Sequence, residues 1–294
     1  MKTKSFYICF IVALIFFLMA CASTNYLIEK ELRDSKTPKY DGPITPIVIP
    51  IQAEYTPVKI EFKVSTSMSM SDMINGSIVN DTSHLETVGK KEVLKLGELL
   101  TWDISINKLI TNRDTLAPNT AIVSLRVLTD KYGNIHESEI MSSFLDGSSV
   151  NKKVRDNLIE GIRKSMKVFG VAPILTNVPL RSGDTIMEID KALFAEMMET
   201  TEENVSFTKE LKWKVDGWSY FNKRRVIVTS IDDDAAIYYK DYRLDIEVKG
   251  YCIFDPESFQ IIDGKTLFLM NAPLRNNDYF STKAFSHHSS RLIE

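Results

Sequence analysis

The sequence predicts an α+β fold in which curved antiparallel β-sheet is combined with one long and one short helix. Two observations indicate the sheet. Apolar and polar residues alternate with period two, most regularly over 58–64 and 243–254, and turn-forming sequences at 130–134 and 255–258 join neighbouring stretches. A third observation indicates the long helix, because apolar residues recur at three- and four-residue spacing over 149–169. The two hairpins resemble each other, which favours two similar halves.

Length and composition place the chain among ordinary folded proteins. It has 294 residues, of which 44% are hydrophobic and 26% charged. This length suffices for one large domain or two small ones. The formal net charge is −3, whereas a nucleic-acid-binding protein would need a basic surface. We therefore expect no nucleic-acid partner, and no residue pattern indicates a cofactor.

Residues 1–20 have the layout of a signal peptide. Lys2 and Lys4 precede an apolar run that is shorter than the roughly 20 residues needed to span a bilayer. The run ends in Leu18-Met19-Ala20-Cys21, which resembles the lipobox of bacterial lipoproteins. The resemblance implies cleavage before Cys21 and acylation of that residue, as by palmitate. An uncleaved membrane anchor and a plain signal peptide are the alternatives.

The residues after Cys21 indicate a destination. Ala22 and Ser23 follow, and no Asp holds the second position. In proteobacteria-like lipoproteins this pattern implies sorting to the outer membrane, with the folded part facing the periplasm. We therefore expect a membrane partner, reached through the lipid on Cys21.

Residues 21–57 are predicted to be a lipid anchor followed by a tether. Five prolines between 38 and 57 each fix φ and remove a backbone donor, which favours extended structure. Alternatively, Ile47-Val48-Ile49 and Ile51 dock on the folded part as an edge strand, where proline is tolerated. The sequence leaves both open.

A first β-rich half is predicted over 58–189. After the strand at 58–64, residues 65–92 are rich in Ser, Met, Asn and Thr, and we interpret them as a long mobile loop. Met68, Met70 and Met73 are the predicted contacts for an apolar ligand or partner, because thioether side chains adapt to irregular surfaces. Copper(I) is a weaker alternative, and we expect no metal. Strands near 102–106, 121–129 and 135–141 follow, and then the helix at 149–169.

A second β-rich half is predicted over 190–271. A short helix from Asp190 to Glu199 opens it, and strands follow at 211–215, 224–231, 243–254 and 259–270. The run Asp232-Asp233-Asp234 is interpreted as a turn that ends a strand. Cys252 shares the apolar face of its strand, so we expect a buried thiol. Residues 272–294 are predicted to be a fraying polar tail.

A second resemblance concerns the body of the chain. Pro179-Leu180, Gly183-Asp184, Gly250 and Phe254-Asp255 resemble the pattern of uncharacterised bacterial secreted proteins and lipoproteins. That group implies no catalytic residues. The expected function is a non-enzymatic envelope lipoprotein that binds an apolar ligand or another envelope protein. The alternative is an envelope hydrolase, which would need a nucleophile, a base and an orienting group that sequence spacing does not show.

Overall fold

The computed structural model describes residues 42–49, 56–74, 77–111, 115–116, 123–132, 135–141, 180–197, 200–239, 242–273 and 279–293. The signal segment, Cys21 and the helix predicted at 149–169 lie outside them.

Long strands dominate the described chain. The first strands are β1 (Val48–Ile49), β2 (Val58–Ile74), β3 (Ser77–Leu96), β4 (Leu99–Thr111), β5 (Thr115–Leu116), β6 (Val123–Thr129) and β7 (Ile135–Met141). Then come β8 (Leu180–Arg181), β9 (Thr185–Ile189), helix α1 (Lys191–Met197) and a 3₁₀ turn (Glu202–Asn204). The remaining strands are β10 (Val205–Phe207), β11 (Leu211–Phe221), β12 (Arg224–Tyr239), β13 (Tyr242–Phe254), β14 (Ile261–Pro273) and β15 (Tyr279–Leu292).

The predicted α+β class is wrong, because the described chain is nearly all β and forms one large, open, curved sheet. The antiparallel order is β7-β6-β4-β3-β2-β15-β14-β13-β12-β11-β9, with β5 beside β4 and β10 beside β12. In this described part the end strands β7 and β9 do not pair with each other. Helix α1, of seven residues, lies within the span predicted for the short helix.

The C-terminal strand β15 lies in the middle of the sheet. It pairs with β2 along its full length on one side, and with β14 from Tyr279 to Ser289 on the other. The prediction of a fraying tail at 272–294 is therefore wrong. The segment lacks a continuous apolar run because Ser281 and Lys283 alternate with Phe280, Thr282 and Ala284. Through β15, strands from both predicted halves belong to one sheet.

The mobile loop predicted at 65–92 is also wrong. This stretch belongs to β2 and β3, which form a long hairpin paired from Val58 with Val93 to Ile74 with Ser77. The period is present but disguised, because serines occupy every second position from Ser65 to Ser71. Thr and Met fill the intervening positions, so the face that is buried has no continuous run of obvious hydrophobes.

The main core lies on one side of the sheet, here called the apolar face. Alternate residues of β2, β3, β4, β6 and β11–β15 contribute to it, and α1 packs on it through Phe194 and Ala195. The Phe194 ring meets Phe207 of β10 edge-on, at 5.6 Å between centroids. The largest fully buried members are Trp102, Phe194, Ile47, Leu211, Ile227 and Ile237.

Two buried tryptophans satisfy their indole N–H groups in the same way. Trp102 Nε1 donates to Thr129 Oγ1 at 2.7 Å, and Trp213 Nε1 donates to Thr229 Oγ1 at 2.8 Å. In each case the acceptor threonine lies on the neighbouring strand. A buried indole without such a partner would be costly, so these bonds fix the two rings in the core.

The segment 42–49 docks on the folded part, which is the second of the two alternatives for this region. β1 pairs with β8, and Ile47 is buried in the main core. Thr45 exchanges two backbone hydrogen bonds with Trp218, each of 2.7 Å. Gly217 makes this approach feasible, because a Cβ there would lie 2.3 Å from the Thr45 carbonyl oxygen, and its φ is +151°.

Two further expectations have different outcomes. Asp232-Asp233-Asp234 is not a turn, because it lies inside β12. There the Asp233 carboxylate accepts from the backbone N–H of Lys212 at 2.9 Å and from Lys209 Nζ at 3.1 Å. Cys252 is buried on the apolar face, so its predicted burial is confirmed.

Candidate functional site

The apolar face is covered to different degrees in its two parts. On β11–β14 its apolar side chains are almost all buried, as illustrated by Val215, Ile231, Val248 and Met270. On β2, β3, β4 and β6 several are only partly buried. We call this second region the open patch and define it by the partly buried residues Phe62, Lys91, Ile104, Ile106 and Leu125.

Strand register brings the open patch together. Lys91 of β3 pairs with Ile104 of β4, and Ile104 pairs with Leu125 of β6. Phe62 and Ile106 pair with Gly89 in the next row of the same face. Neighbouring strands are about 4.8 Å apart. The patch is therefore a continuous, mostly apolar surface, bordered in the adjacent row of the same face by Trp102 and Val127, both buried.

Gly89 shapes one edge of the patch. A Cβ at this position would lie 2.4 Å from the Phe62 ring and 2.4 Å from the Ser105 carbonyl oxygen. The ring therefore lies directly over the glycine backbone, and it also stacks on His288 at 6.5 Å between centroids. A register shift in the β3–β4 pairing occurs at the same place. Such irregularities increase local twist, which bends the apolar face at the patch.

Lys91 is the charged group of the open patch. Its Nζ lies 5.6 Å from the centroid of the Trp102 ring, within the range of a cation–π interaction. Burial lowers the pKa of Lys91 from 10.5 to about 8, because the ammonium loses water. Among the described ion pairs, none involves Lys91.

Buried hydroxyl groups form a second polar position on the apolar face. Thr66 Oγ1, Thr282 Oγ1 and Ser286 Oγ are buried without a hydrogen-bond partner. Ser286 pairs across the strands with Thr66 on one side and Thr266 on the other. Each unsatisfied hydroxyl costs about 1–3 kcal/mol. They are fully enclosed, so a ligand reaches them only if the covering side chains move.

The structure places the predicted site residues in β2 and leaves Cys21 outside the described part. Met68 is buried in the main core, and Met70 packs against that core from a partly buried position. Met73 pairs with Ile78 close to the end of the hairpin. The methionines therefore do not form a separate loop site. Lys91 and the buried hydroxyls were missed by sequence reasoning.

A different polar group lies on the opposite face of the sheet. His287 Nε2 lies 2.7 Å from Asp263 Oδ1, and the Tyr251 hydroxyl donates to Asp263 Oδ2 at 3.2 Å. Ser65 pairs with His287 in the strand register, but no hydrogen bond joins their side chains. A base and an orienting carboxylate are thus present, whereas the contact to a nucleophile that a hydrolase needs is missing in this conformation.

A groove of about 530 Å³ lies on the same opposite face, beside β7. Exposed Leu94 and Leu96 line one side of it. Arg126 crosses it and donates to both carboxylate oxygens of Asp103, at 2.7 and 3.1 Å. This bidentate bond raises the pKa of Arg126. Charges of both signs line the groove, since Lys95, Glu137 and Glu139 also contribute to it, so it is less suited to an apolar ligand than the open patch.

In the described ranges, no three His, Cys, Asp or Glu side chains are close enough to hold a metal ion. No helix in that part of the chain combines the length and the apolar character that crossing a membrane requires.

Comparison with known proteins gives only distant likenesses. No protein-family model and no curated protein matches the sequence. Lipovitellin, solved to study its lipid–protein interactions, has a TM-score of 0.36 and 11% identity over 82% of this chain, which spans 26% of the lipovitellin chain. An outer membrane channel from Pseudomonas putida F1 has a TM-score of 0.30 and 10% identity, over 82% of this chain and 97% of the channel.

A third solved structure is described as an outer membrane lipoprotein-sorting protein domain, from Vibrio parahaemolyticus. Its TM-score is 0.15 and its identity 9%, over 79% of this chain and 87% of that domain. These scores are too low to assign a shared family. Function must therefore be argued from the residues and geometry of this chain.

Proposed function

We propose that this chain is a lipid-anchored protein of the bacterial cell envelope that holds the acyl chain of a lipid on its open patch. It acts by binding and not by catalysis. The anchor is Cys21, and the folded part faces the periplasm from the outer membrane. The single observation that carries the binding proposal is the partial exposure of Phe62, Ile104, Ile106 and Leu125 on one continuous apolar face.

The exposed apolar surface of the open patch has an energetic cost. Each Å² that stays in water forgoes about 25 cal/mol of the stabilisation that burial would give. Scattered apolar residues on a surface need no explanation, but contiguous ones on adjacent strands mark an interaction site. An acyl chain fits such a surface because it is apolar along its whole length and needs no hydrogen-bond partners. Trp102 and Val127, in the adjacent row of the same face, are buried, so the patch continues directly into the packed core.

Binding of an uncharged chain tests the proposal. The full-length protein should bind hexadecanol, and Ile104→Gln should weaken this binding at least fivefold because it places a polar group on the patch. Leu94→Gln is the matched control, since Leu94 is exposed on the opposite face of the adjacent strand. Circular dichroism of both variants shows whether they fold. Equal effects of the two substitutions, or no binding by the folded wild-type protein, would contradict the proposal.

The anchor needs its own test. Mass spectrometry of the mature wild-type protein should find Cys21 at the N-terminus, carrying acyl chains. Cys21→Ala should give an uncleaved or unacylated protein. A mature chain that begins elsewhere would contradict lipid anchoring without affecting the binding proposal.

A hydrolase is the second candidate, and one observation favours it: the pair of His287 and Asp263 at 2.7 Å. In this case Ser65 would be the nucleophile, after a side-chain rotation toward His287. Hydrolysis of a p-nitrophenyl ester that disappears in both Ser65→Ala and His287→Ala, while both variants stay folded, would support it. Turnover that survives either substitution would exclude this site.

A further inference from the structure

We propose that Lys91 binds the headgroup of the ligand, and that the ligand is an amphiphile with a carboxylate or phosphate at one end. The inference rests on the proposed function, because it assumes that the apolar chain of the ligand lies on the open patch. It adds three things to that function: the chemical class of the headgroup, the protein atom that contacts the headgroup, which is Lys91 Nζ, and the direction in which the acyl chain runs from there.

Within the described part of the chain, no carboxylate forms an ion pair with Lys91. Two lysines on the other face of the same hairpin have a partner: Lys59 Nζ lies 3.2 Å from Glu92, and Lys63 Nζ lies 2.6 Å from Glu86. By strand alternation these pairs lie on the opposite face from Lys91. A partly buried ammonium group without a counter-charge is costly to maintain. An anionic headgroup would supply the missing charge.

The position of Lys91 within the patch also favours an amphiphile. In its row it stands between Ile60 of β2 and Ile104 of β4, and Leu125 follows on β6. An acyl chain whose headgroup contacts Lys91 Nζ, and which runs across β4 to β6, covers two strand spacings, or about 10 Å. Along this path it meets only apolar side chains of the apolar face. The charge therefore lies at one end of an apolar track, which is the pattern of an amphiphile.

The Trp102 ring favours a defined position for the Lys91 ammonium. The Trp102 ring, which is fully buried and bonded to Thr129, lies 5.6 Å from Nζ. A cation–π contact with a fixed ring favours this position of the ammonium and uses none of its three N–H donors in a hydrogen bond to the ring. The buried hydroxyls at Thr66 and Ser286 are the competing polar position. They are enclosed, whereas Lys91 is partly exposed, so the lysine is the group that a headgroup reaches first.

The experiment compares three probes with the same chain length on the full-length protein: palmitate, hexadecyl phosphate and hexadecanol, each below the concentration at which it self-assembles. Wild type should bind at least one anionic probe about tenfold or more tightly than hexadecanol, since a charge-assisted hydrogen bond contributes at this level. Which anionic probe binds more tightly identifies the headgroup as carboxylate or phosphate.

Three variants make the assignment specific. Lys91→Met should remove the preference for the anionic probes and leave hexadecanol affinity within about twofold, and Lys91→Arg should retain the preference. Lys90→Met is the matched control, because it makes the same charge change at the adjacent, exposed residue on the opposite face. It should leave all three affinities unchanged.

The outcomes separate the two proposals. If hexadecanol binds but neither anionic probe binds better, or if Lys90→Met acts like Lys91→Met, the headgroup assignment is overturned and acyl-chain binding stands. If Lys91→Met weakens hexadecanol as much as the anionic probes, Lys91 is part of the patch wall and not a headgroup contact. If none of the probes binds to the folded protein, the proposed function fails and this inference fails with it.

Discussion

Lys91 is the residue at which charge and burial conflict most clearly. Its pKa falls from 10.5 to about 8, so the unfolded chain holds this proton more tightly than the folded one. At pH between these values the unfolded state binds more protons, and the free energy of unfolding therefore rises with pH. At 1.36 kcal/mol per pKa unit, the full effect is up to about 3 kcal/mol, reduced by the solvent that still reaches the side chain.

This gives a prediction for stability. Between pH 8 and 10 the wild-type protein should gain stability relative to Lys91→Met, and below pH 8 Lys91→Met should be the more stable of the two. Denaturant unfolding at several pH values measures the free energy of unfolding of both proteins. Because the two proteins share all other titratable groups, the contributions of those groups cancel in the difference. Parallel curves for the two proteins would show that Lys91 is not buried as the structure has it.

Sequence reasoning could find Cys252 but not Lys91, and the difference is physical. Cys252 belongs to a strand whose charged and apolar positions alternate without interruption, so its face is evident. Lys91 follows Lys90 and precedes Glu92. Because charged residues occur on both faces of this strand, the alternation of side chains does not show which face is buried. Only the pairing of Val93 with Trp102 and Val58 fixes the face.

At the scale of elements, the β2–β3 hairpin shows how a strand escapes detection. Serine and threonine are small enough to lie in a buried strand when neighbouring strands cover them, as at Ser67 and Thr66, both buried. The composition of the segment is typical of loops, yet its neighbours β15 and β4 supply partners for its backbone. Those partners are distant in sequence, so local patterns do not predict the pairing.

Substitutions in β2 test this element. Met68→Ala should lower the free energy of unfolding by about 2–5 kcal/mol, because it truncates a buried core side chain. Ser69→Ala, at the next position and on the other face, should change it by less than about 0.5 kcal/mol. Denaturant titration measures both. Equal and small effects would restore the interpretation of this segment as a loop.

At the scale of the whole molecule, most strands outside 65–92 and 272–294 could be predicted, including both hairpin turns. The arrangement of those strands could not. The position of β15 between β2 and β14 joins the last strand to the first long one, a connection that spans most of the chain. Hydrophobic period reports which face of a strand is buried but not which strand lies beside it. For the same reason the open patch, which needs four strands in register, has no signature in the sequence.

The place of β15 leads to a prediction about cooperativity. The sequence predicts two similar halves. Because β15 pairs over most of its length with a strand of each half, unfolding of one half would leave β15 with an unpaired edge and expose Phe285, which is fully buried. We therefore expect both halves to unfold in a single transition.

Tryptophan fluorescence can follow the halves separately. Trp102 is in the first half, and Trp213 and Trp218 are in the second. A protein with Trp213→Phe and Trp218→Phe reports on the first half, and one with Trp102→Phe reports on the second. In each background, Phe285→Ala should lower the free energy of unfolding by about 3–5 kcal/mol relative to its parent, because the strand that both halves share is weakened. If Phe285→Ala shifts the transition in only one background, the halves are separate domains and β15 belongs to one of them.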